Sequence, residues 1–336
     1  MPLFRCVAAA AVAAFLAFGA LAQDKPPELK LSTAAGPAFA IGRAGERWAQ
    51  LLNDKAAGAF EVRLYPGAVL SGRDPLREFG ALRDGDADLA VGSALAWSAQ
   101  LPAFGVYGLP WIASEVAEQE AIATDPGVRA LVDAGAAQSG VVVLAVAPLG
   151  ERVLATVKAA IESPADLAGL RLRVLLAPLA VETFSALGAR AEWMSLPNAQ
   201  AALAAGTLDG QEAPATTLAA TRIGASGQRF VTRWGAFSDA MVFSVRAAVW
   251  AKWSVPQQEA ARAAAQEAAR DAAALSREDT ALAELGKQGV TVVRLTAAQR
   301  AAFRAAAQPV WTKWTAPIGA DLVAAARNAA AAKRNP

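Results

Sequence analysis

Apolar and polar residues alternate over short stretches near the start of the chain and again in its middle. Longer runs with helical spacing follow each stretch. Leu29 to Ser32 and Phe60 to Tyr65 alternate and predict strands, the second stopped by Pro66-Gly67. Ile41 to Leu52 predicts a helix between them, and Pro75 to Arg83 another. Gly85 suits a left-handed helix exit, and Asp88 to Val91 opens the next strand. Later, Ala191 to Ser195 predicts a strand and Pro197 to Ala205 a helix ended by Gly206; Leu208-Asp209-Gly210 begins another strand. One pattern thus occurs twice, as Leu82-x-x-Gly85-x-x-Asp88 and Leu203-x-x-Gly206-x-x-Asp209. It is a common way to pass from helix to strand, and it is also what two similar α/β lobes facing each other would carry.

The apolar run Val141 to Val146 fits a buried central strand, and it continues through Gly150 to Thr156, far enough to cross between lobes. Met241 to Trp250 is a second possible crossing. Ser254-Val255-Pro256-Gln257 has the serine, proline and glutamine of a capped helix start, and the segment to about Leu285 is strongly helix-prone. Val290 to Leu295 predicts a last strand, and the alanine-rich tail after Thr296 predicts packed helices anchored by Trp311 and Trp314.

Composition sharpens this outline. Hydrophobic residues make up 55% and charged residues 18% of 336 positions, enough apolar surface for two lobes of ordinary size. With 32 basic and 30 acidic side chains there is no electrostatic footprint for nucleic acid. Residues 1–22 predict a cleaved signal peptide: Arg5, the apolar run Val7 to Phe18, and Ala20-Leu21-Ala22 before Gln23. The expected location is therefore the periplasm. Cys6 is the only cysteine and would leave with that segment; histidine is absent. A mature chain without His or Cys excludes Ser-His-Asp triads, Cys-His pairs and the usual zinc sites, so no catalytic residue, metal or cofactor is expected.

The informative chemistry lies between Gly150 and Pro214. Arg171-Leu172-Arg173-Val174 predicts a strand with both arginines on one face. A guanidinium cannot discard its charge, so burial demands a partner. Either a structural acid or a solvated strand end satisfies it, or the planar fork awaits a ligand carboxylate.

An ordered set of motifs resembles one family. It comprises Gly150-x-Arg152, Ser163-Pro164-x-Asp166-Leu167-x-Gly169-Leu170-Arg171-Leu172-Arg173-Val174, Leu187-Gly188-Ala189, Met194, and Ala202-Leu203-x-x-Gly206-x-Leu208-Asp209-Gly210-Gln211-Glu212-x-Pro214. Leu64-Tyr65-Pro66, the unit ending at Asp88 and Gly108-Leu109-Pro110-Trp111 extend it through the N-terminal half. Together they resemble the DctP-type solute-binding proteins of tripartite ATP-independent periplasmic (TRAP) transporters.

The resemblance implies an α/β, two-lobed periplasmic binding protein fold with crossing hinge strands and a long helix spanning both lobes. Residues 23–148 plus about 240–278 would form one lobe, and 149–239 plus about 279–336 the other. It implies a monomeric receptor, not an enzyme, that hands a small organic carboxylate to TRAP membrane subunits driven by an ion gradient. The same fold could instead present its ligand to a sensor kinase. An exported hydrolase would need two converging acids, for which no motif is present.

In the family pattern Arg173 pairs with the ligand carboxylate and Arg152 supports it, while Arg171 faces solvent or a structural acid. Asp209 and Glu212 fix the turn. Ala213 stands where some members carry asparagine, Leu196 where an aromatic can line the pocket, and Trp193 and Trp234 where smaller or polar residues are common; these departures imply a less polar pocket. Ser93 and Phe39 complete the expected lining.

Overall fold

The protein is described by a computed structural model over residues 26–56, 58–175, 177–275 and 278–334. The predicted signal peptide, with Cys6, lies outside these residues. Among the described residues nine strands form one continuous sheet: β1 (Glu28–Thr33), β2 (Glu61–Pro66), β3 (Leu89–Ser93), β4 (Val141–Thr156), β5 (Arg171–Val174), β6 (Arg190–Trp193), β7 (Gly210–Pro214), β8 (Phe230–Arg246) and β9 (Thr291–Arg294). Their order is β2-β1-β3-β8-β4-β7-β5-β6, with β9 beside β8.

Two long strands turn this sheet into two lobes. The C-terminal half of β8 pairs with β3, and its first residues pair with β9. The C-terminal half of β4 pairs with β7. The two strands pair with each other almost throughout, with register shifts between Val143 and Ala145, Pro148 and Gly150, and Arg152 and Leu154. Such irregularities break the ladder locally and raise the twist, which lets one pair of strands serve two sheets of different orientation.

The second crossing begins earlier than the apolar pattern indicates. β8 starts at Phe230, and residues Ala247–Trp250 are a short helix rather than strand. Gly235, Ser238 and Asp239 interrupt the apolar run. Ser238 and Asp239 are nevertheless buried and hydrogen-bonded, so burial there follows polar pairing instead of hydropathy.

The run after Ser254 is two helices. Val255–Leu275 lays an alanine stripe, Ala261, Ala264, Ala265, Ala268 and Ala272, on the first lobe beside helix Ala40–Lys55. Glu278–Lys287 packs Ala281 and Leu285 against the second lobe. The tail is helical over Ala297–Ala306, Gln308–Ile318 and Ala320–Arg334. Its last helix packs on Val116–Thr124 and Pro126–Gln138, so the tail reaches back across the molecule.

The repeated sequence unit is a repeated structure. Gly85 (φ 97°) and Gly206 (φ 70°) both adopt the left-handed conformation that relieves a glycine of steric cost. Asp88 then accepts the Lys30 amide at 3.0 Å, while its own amide donates to the Lys30 carbonyl at 2.9 Å. Asp209 does the same with Arg171, at 2.9 Å in both directions. Each lobe therefore locks its first strand to its third by one aspartate, and the carboxyl ends of both parallel strand sets form the facing rims.

Candidate functional site

Arg173 lies on β5, two residues beyond the aspartate clamp. Its neighbours are Glu192 on β6 and Gln211 on β7. Its side chain is 9% exposed. Nε donates to the Met194 carbonyl at 3.2 Å and Nη1 to the Glu212 carbonyl at 3.1 Å. Nη2 has no hydrogen-bond partner among the described residues, and no carboxylate forms an ion pair with the group. Burial pulls its pKa down to about 10; Glu212 opposes this and the Arg152 charge adds to it. At neutral pH the group remains a desolvated cation held in place by two neutral carbonyls.

Arg152, on β4, is the opposite case. Nε and Nη2 grip the two Glu212 carboxylate oxygens at 2.6 and 3.0 Å, and Nη1 reaches Asp239 at 3.3 Å. All three nitrogens are engaged and the side chain is buried. Burial alone would raise Glu212, but the Arg152 charge and hydrogen bonds, the Arg173 charge and the Leu175 amide outweigh it and hold it low. Asp239 accepts from Ser93 Oγ at 2.7 Å and from the Leu95 and Ala240 amides at 3.1 and 2.8 Å. Here burial wins, and Asp239 titrates above the usual carboxylate range. The chain Glu212–Arg152–Asp239–Ser93 thus joins the rims of the two lobes. Three of the five Arg152 N–H donors are held by these two acids and the side chain is buried, so its main contribution at the rim is charge.

Arg171 pairs with a structural acid, Asp209, at 3.1 Å through both Nε and Nη2. Trp193 ends β6 and is 44% exposed, one register position from Arg173. Leu196 opens helix Leu196–Ala204 and is half-buried. Phe39 is half-buried before helix Ala40–Lys55, at the carboxyl end of β1. Ser93 caps the short helix Ala94–Trp97, accepting from the Ala96 amide at 3.0 Å.

Two expected lining residues are placed elsewhere. Trp234 is fully enclosed, its ring within 5.3–5.8 Å of those of Trp111, Phe184, Phe237 and Phe303, and its Nε1 donates to the Arg152 carbonyl at 3.0 Å. It supports the site from the core and offers a ligand no face. Ala213 is buried in a separate cluster with Leu218, Ile223 and Val231. Its β-strand alternation points it away from Glu212.

Sequence reasoning placed Asp239 in no role at all. Its only signal was a charged residue inside an apolar strand pattern. A groove of about 1480 Å³ lies between helices Val116–Thr124 and Val255–Leu275. Its buried arginine, Arg233, is paired with Glu151 at 3.0 Å, unlike Arg173 at the β5 rim.

A match to the family model for bacterial extracellular solute-binding proteins, family 7 (DctP), extends over residues 31–317. The chain belongs to this family. A TRAP periplasmic solute-binding protein from Ralstonia eutropha H16, with bound (S)-2-acetolactate, is 38% identical; the superposition covers 91% of this chain and 99% of that one with a TM-score of 0.86. Another, from Ochrobactrum anthropi, with a C-terminus bound in its ligand-binding pocket, is 27% identical at a TM-score of 0.82, covering 92% and 96%. The C4-dicarboxylate-binding periplasmic protein DctP of Rhodobacter capsulatus is 24% identical over 326 residues, 96% of each chain. The uncharacterized protein y4mM of Sinorhizobium fredii is 27% identical over 87% of this chain but 53% of its own length, so this chain spans about half of that relative.

Members of this family are periplasmic binding receptors rather than enzymes. Among the described residues no helix is long and apolar enough to cross a membrane.

Proposed function

We propose that this DctP-family protein is the receptor of a TRAP transporter for a short 2-hydroxy or 2-oxo monocarboxylate, and that Arg173 is the carboxylate anchor. The observation that carries this reading is a buried arginine with a vacant donor edge and no acid partner. A second anchored cation, Arg152, raises the local potential without competing for the ligand. Acetolactate in a 38%-identical relative supports a small branched acid. Trp193, Leu196 and Phe39 supply apolar surface at the rims and suit a ligand with one polar end. Ser93 lies on the opposite rim, its hydroxyl donated to Asp239. Capture draws the lobes together about the register shifts of β4 and β8, and the closed form delivers its ligand to the membrane subunits.

Mass spectrometry of acid carried through purification, followed by calorimetry with acetolactate, 2-hydroxyisobutyrate and their amides, tests this. The acids should bind and the amides should bind poorly. If no small acid binds the folded protein, or if acid and amide bind alike, the proposal fails. Scattering with and without ligand should report a smaller radius at saturation.

A further inference from the structure

The buried charges around the anchor are balanced only when it is unliganded. Arg152 and Arg173 contribute two positive charges, and Glu212 and Asp239 two negative ones, all four with side chains at most 9% exposed. A carboxylate arriving on Arg173 leaves one negative charge in excess in a desolvated site, an expensive arrangement unless a proton accompanies it.

The geometry singles out the acid that can accept it. Glu212 is gripped by the Arg152 fork on both oxygens and also receives the Leu175 amide. Asp239 receives the Leu95 and Ala240 amides on Oδ1, but on Oδ2 it has only the third, longer Arg152 contact, at 3.3 Å, and the Ser93 hydroxyl. Its Oδ2 lies 2.7 Å from Ser93 Oγ, a pair that can be bridged by either group's hydrogen. Ser93 Oγ already accepts the Ala96 amide, so in the present pairing its own hydrogen is spent on Asp239.

We propose that Asp239 takes up one proton from solvent when an anionic ligand docks on Arg173. The new Oδ2–H then donates to Ser93 Oγ, and the Ser93 hydrogen is released to face the ligand. This rests on the carboxylate-anchor reading above. The groups that face Asp239 are Arg152 from β4, Ser93 and the Leu95 amide from the first lobe, and, through Arg152, Glu212 from β7. Tyr107 and Gln119 line a small cavity on its remaining side. Burial already lifts Asp239 above the ordinary carboxylate range, so the added negative charge has less far to move it.

The test is calorimetry of acetolactate and 2-hydroxyisobutyrate binding at pH 5.5, 6.5, 7.5 and 8.5, in buffers of different ionisation enthalpy. Both acids are fully ionised throughout, so the ligand itself takes up nothing. Wild type should show proton uptake, up to one per ligand, and affinity should fall by up to about tenfold per pH unit within the uptake window and level off above it. Asp239→Asn should bind without uptake and with affinity that does not vary with pH. Should that variant not fold, infrared difference spectra of wild type supply the answer through a new protonated-carboxyl band on ligand addition. Glu78→Gln, in the first lobe behind Ser32, should keep the uptake. Binding with no uptake at any pH, uptake retained in Asp239→Asn, uptake lost in Glu78→Gln, or no new carboxyl band would overturn the inference while leaving the receptor reading standing. Failure of both acids to bind would remove both.

Discussion

The two lobes repeat one backbone device and put different chemistry on it. Lys30 and Arg171 are each clamped by an aspartate after a glycine turn, with matching hydrogen bonds. Two residues on, the strands diverge. In the first lobe the position is Ser32, whose hydroxyl donates to Glu78 at 2.9 Å; in the second it is Arg173. The residue three beyond the aspartate is Val91 in one lobe and Glu212 in the other, the former apolar and the latter the holder of both arginines. The scaffold is therefore shared, while a charge with an unmet need occurs on one side only. Burial is equally severe at both places and has opposite results. Glu78, with the Ser32 hydroxyl and the Trp97 side chain opposing, is pushed by burial up to about 8 and is mostly neutral at pH 7. Arg173 cannot escape in this way: burial lowers it only to about 10, and it stays charged at pH 7.

The largest effect should come from Arg152→Ala. It strands Glu212 and Asp239 in the interior and should cost about 3–5 kcal/mol of stability. Thermal or denaturant unfolding would register it, and a loss below 1 kcal/mol would break the view of Arg152 as a structural node.

Arg173→Ala should weaken acid binding by about 2–5 kcal/mol, roughly 30-fold to several-thousand-fold, with little change in melting temperature because no acid is left unpaired. Arg173→Lys should fall between, since it keeps the charge and loses the planar fork. Calorimetry decides this, and equal binding by wild type and Arg173→Ala would refute the anchor.

The Glu78 side of the comparison is tested by pH. Its folded pKa is raised, so between about pH 4.5 and 8 the native state holds more protons than the unfolded chain. Stability should therefore be greatest below that window and decline as pH rises through it, by on the order of 5 kcal/mol. Glu78→Gln should remove most of this slope in unfolding curves measured from pH 5 to 9. An unchanged slope would assign the pH dependence to another group.

Smaller and symmetric effects should follow from the clamps. Asp88→Ala and Asp209→Ala should each cost about 1–2 kcal/mol, because each removes a charged acceptor from a strand amide. A marked inequality between them would break the equivalence of the lobes. Arg171→Ala should cost less than about 1 kcal/mol and leave binding unchanged, since its side chain is 36% exposed and its ion pair with Asp209 is screened by solvent.

Local information determined much of this molecule. Alternation, glycine turns and proline stops placed most elements, because a strand face and a helix exit impose residue types within a few positions. The repeated Leu-x-x-Gly-x-x-Asp unit disclosed two like lobes for the same reason. The pattern also gave Arg171 and Arg173 as charges on one strand face that needed partners; only the family resemblance told their roles apart.

What the chain could not determine alone was who meets whom across long separations. Arg152 and Glu212 are 60 residues apart, and Asp239 is 87 from Arg152. Whether an arginine is satisfied or vacant is settled by that meeting and not by its neighbours in sequence. The same holds for the tryptophans: Trp193 and Trp234 read alike in the sequence, yet one sits at an exposed strand end and the other inside an aromatic cluster drawn from four distant segments. Apolar side chains carry no address of their own. The crossing of β4 and β8 supplies it, by deciding which faces turn to the rim and which to the core.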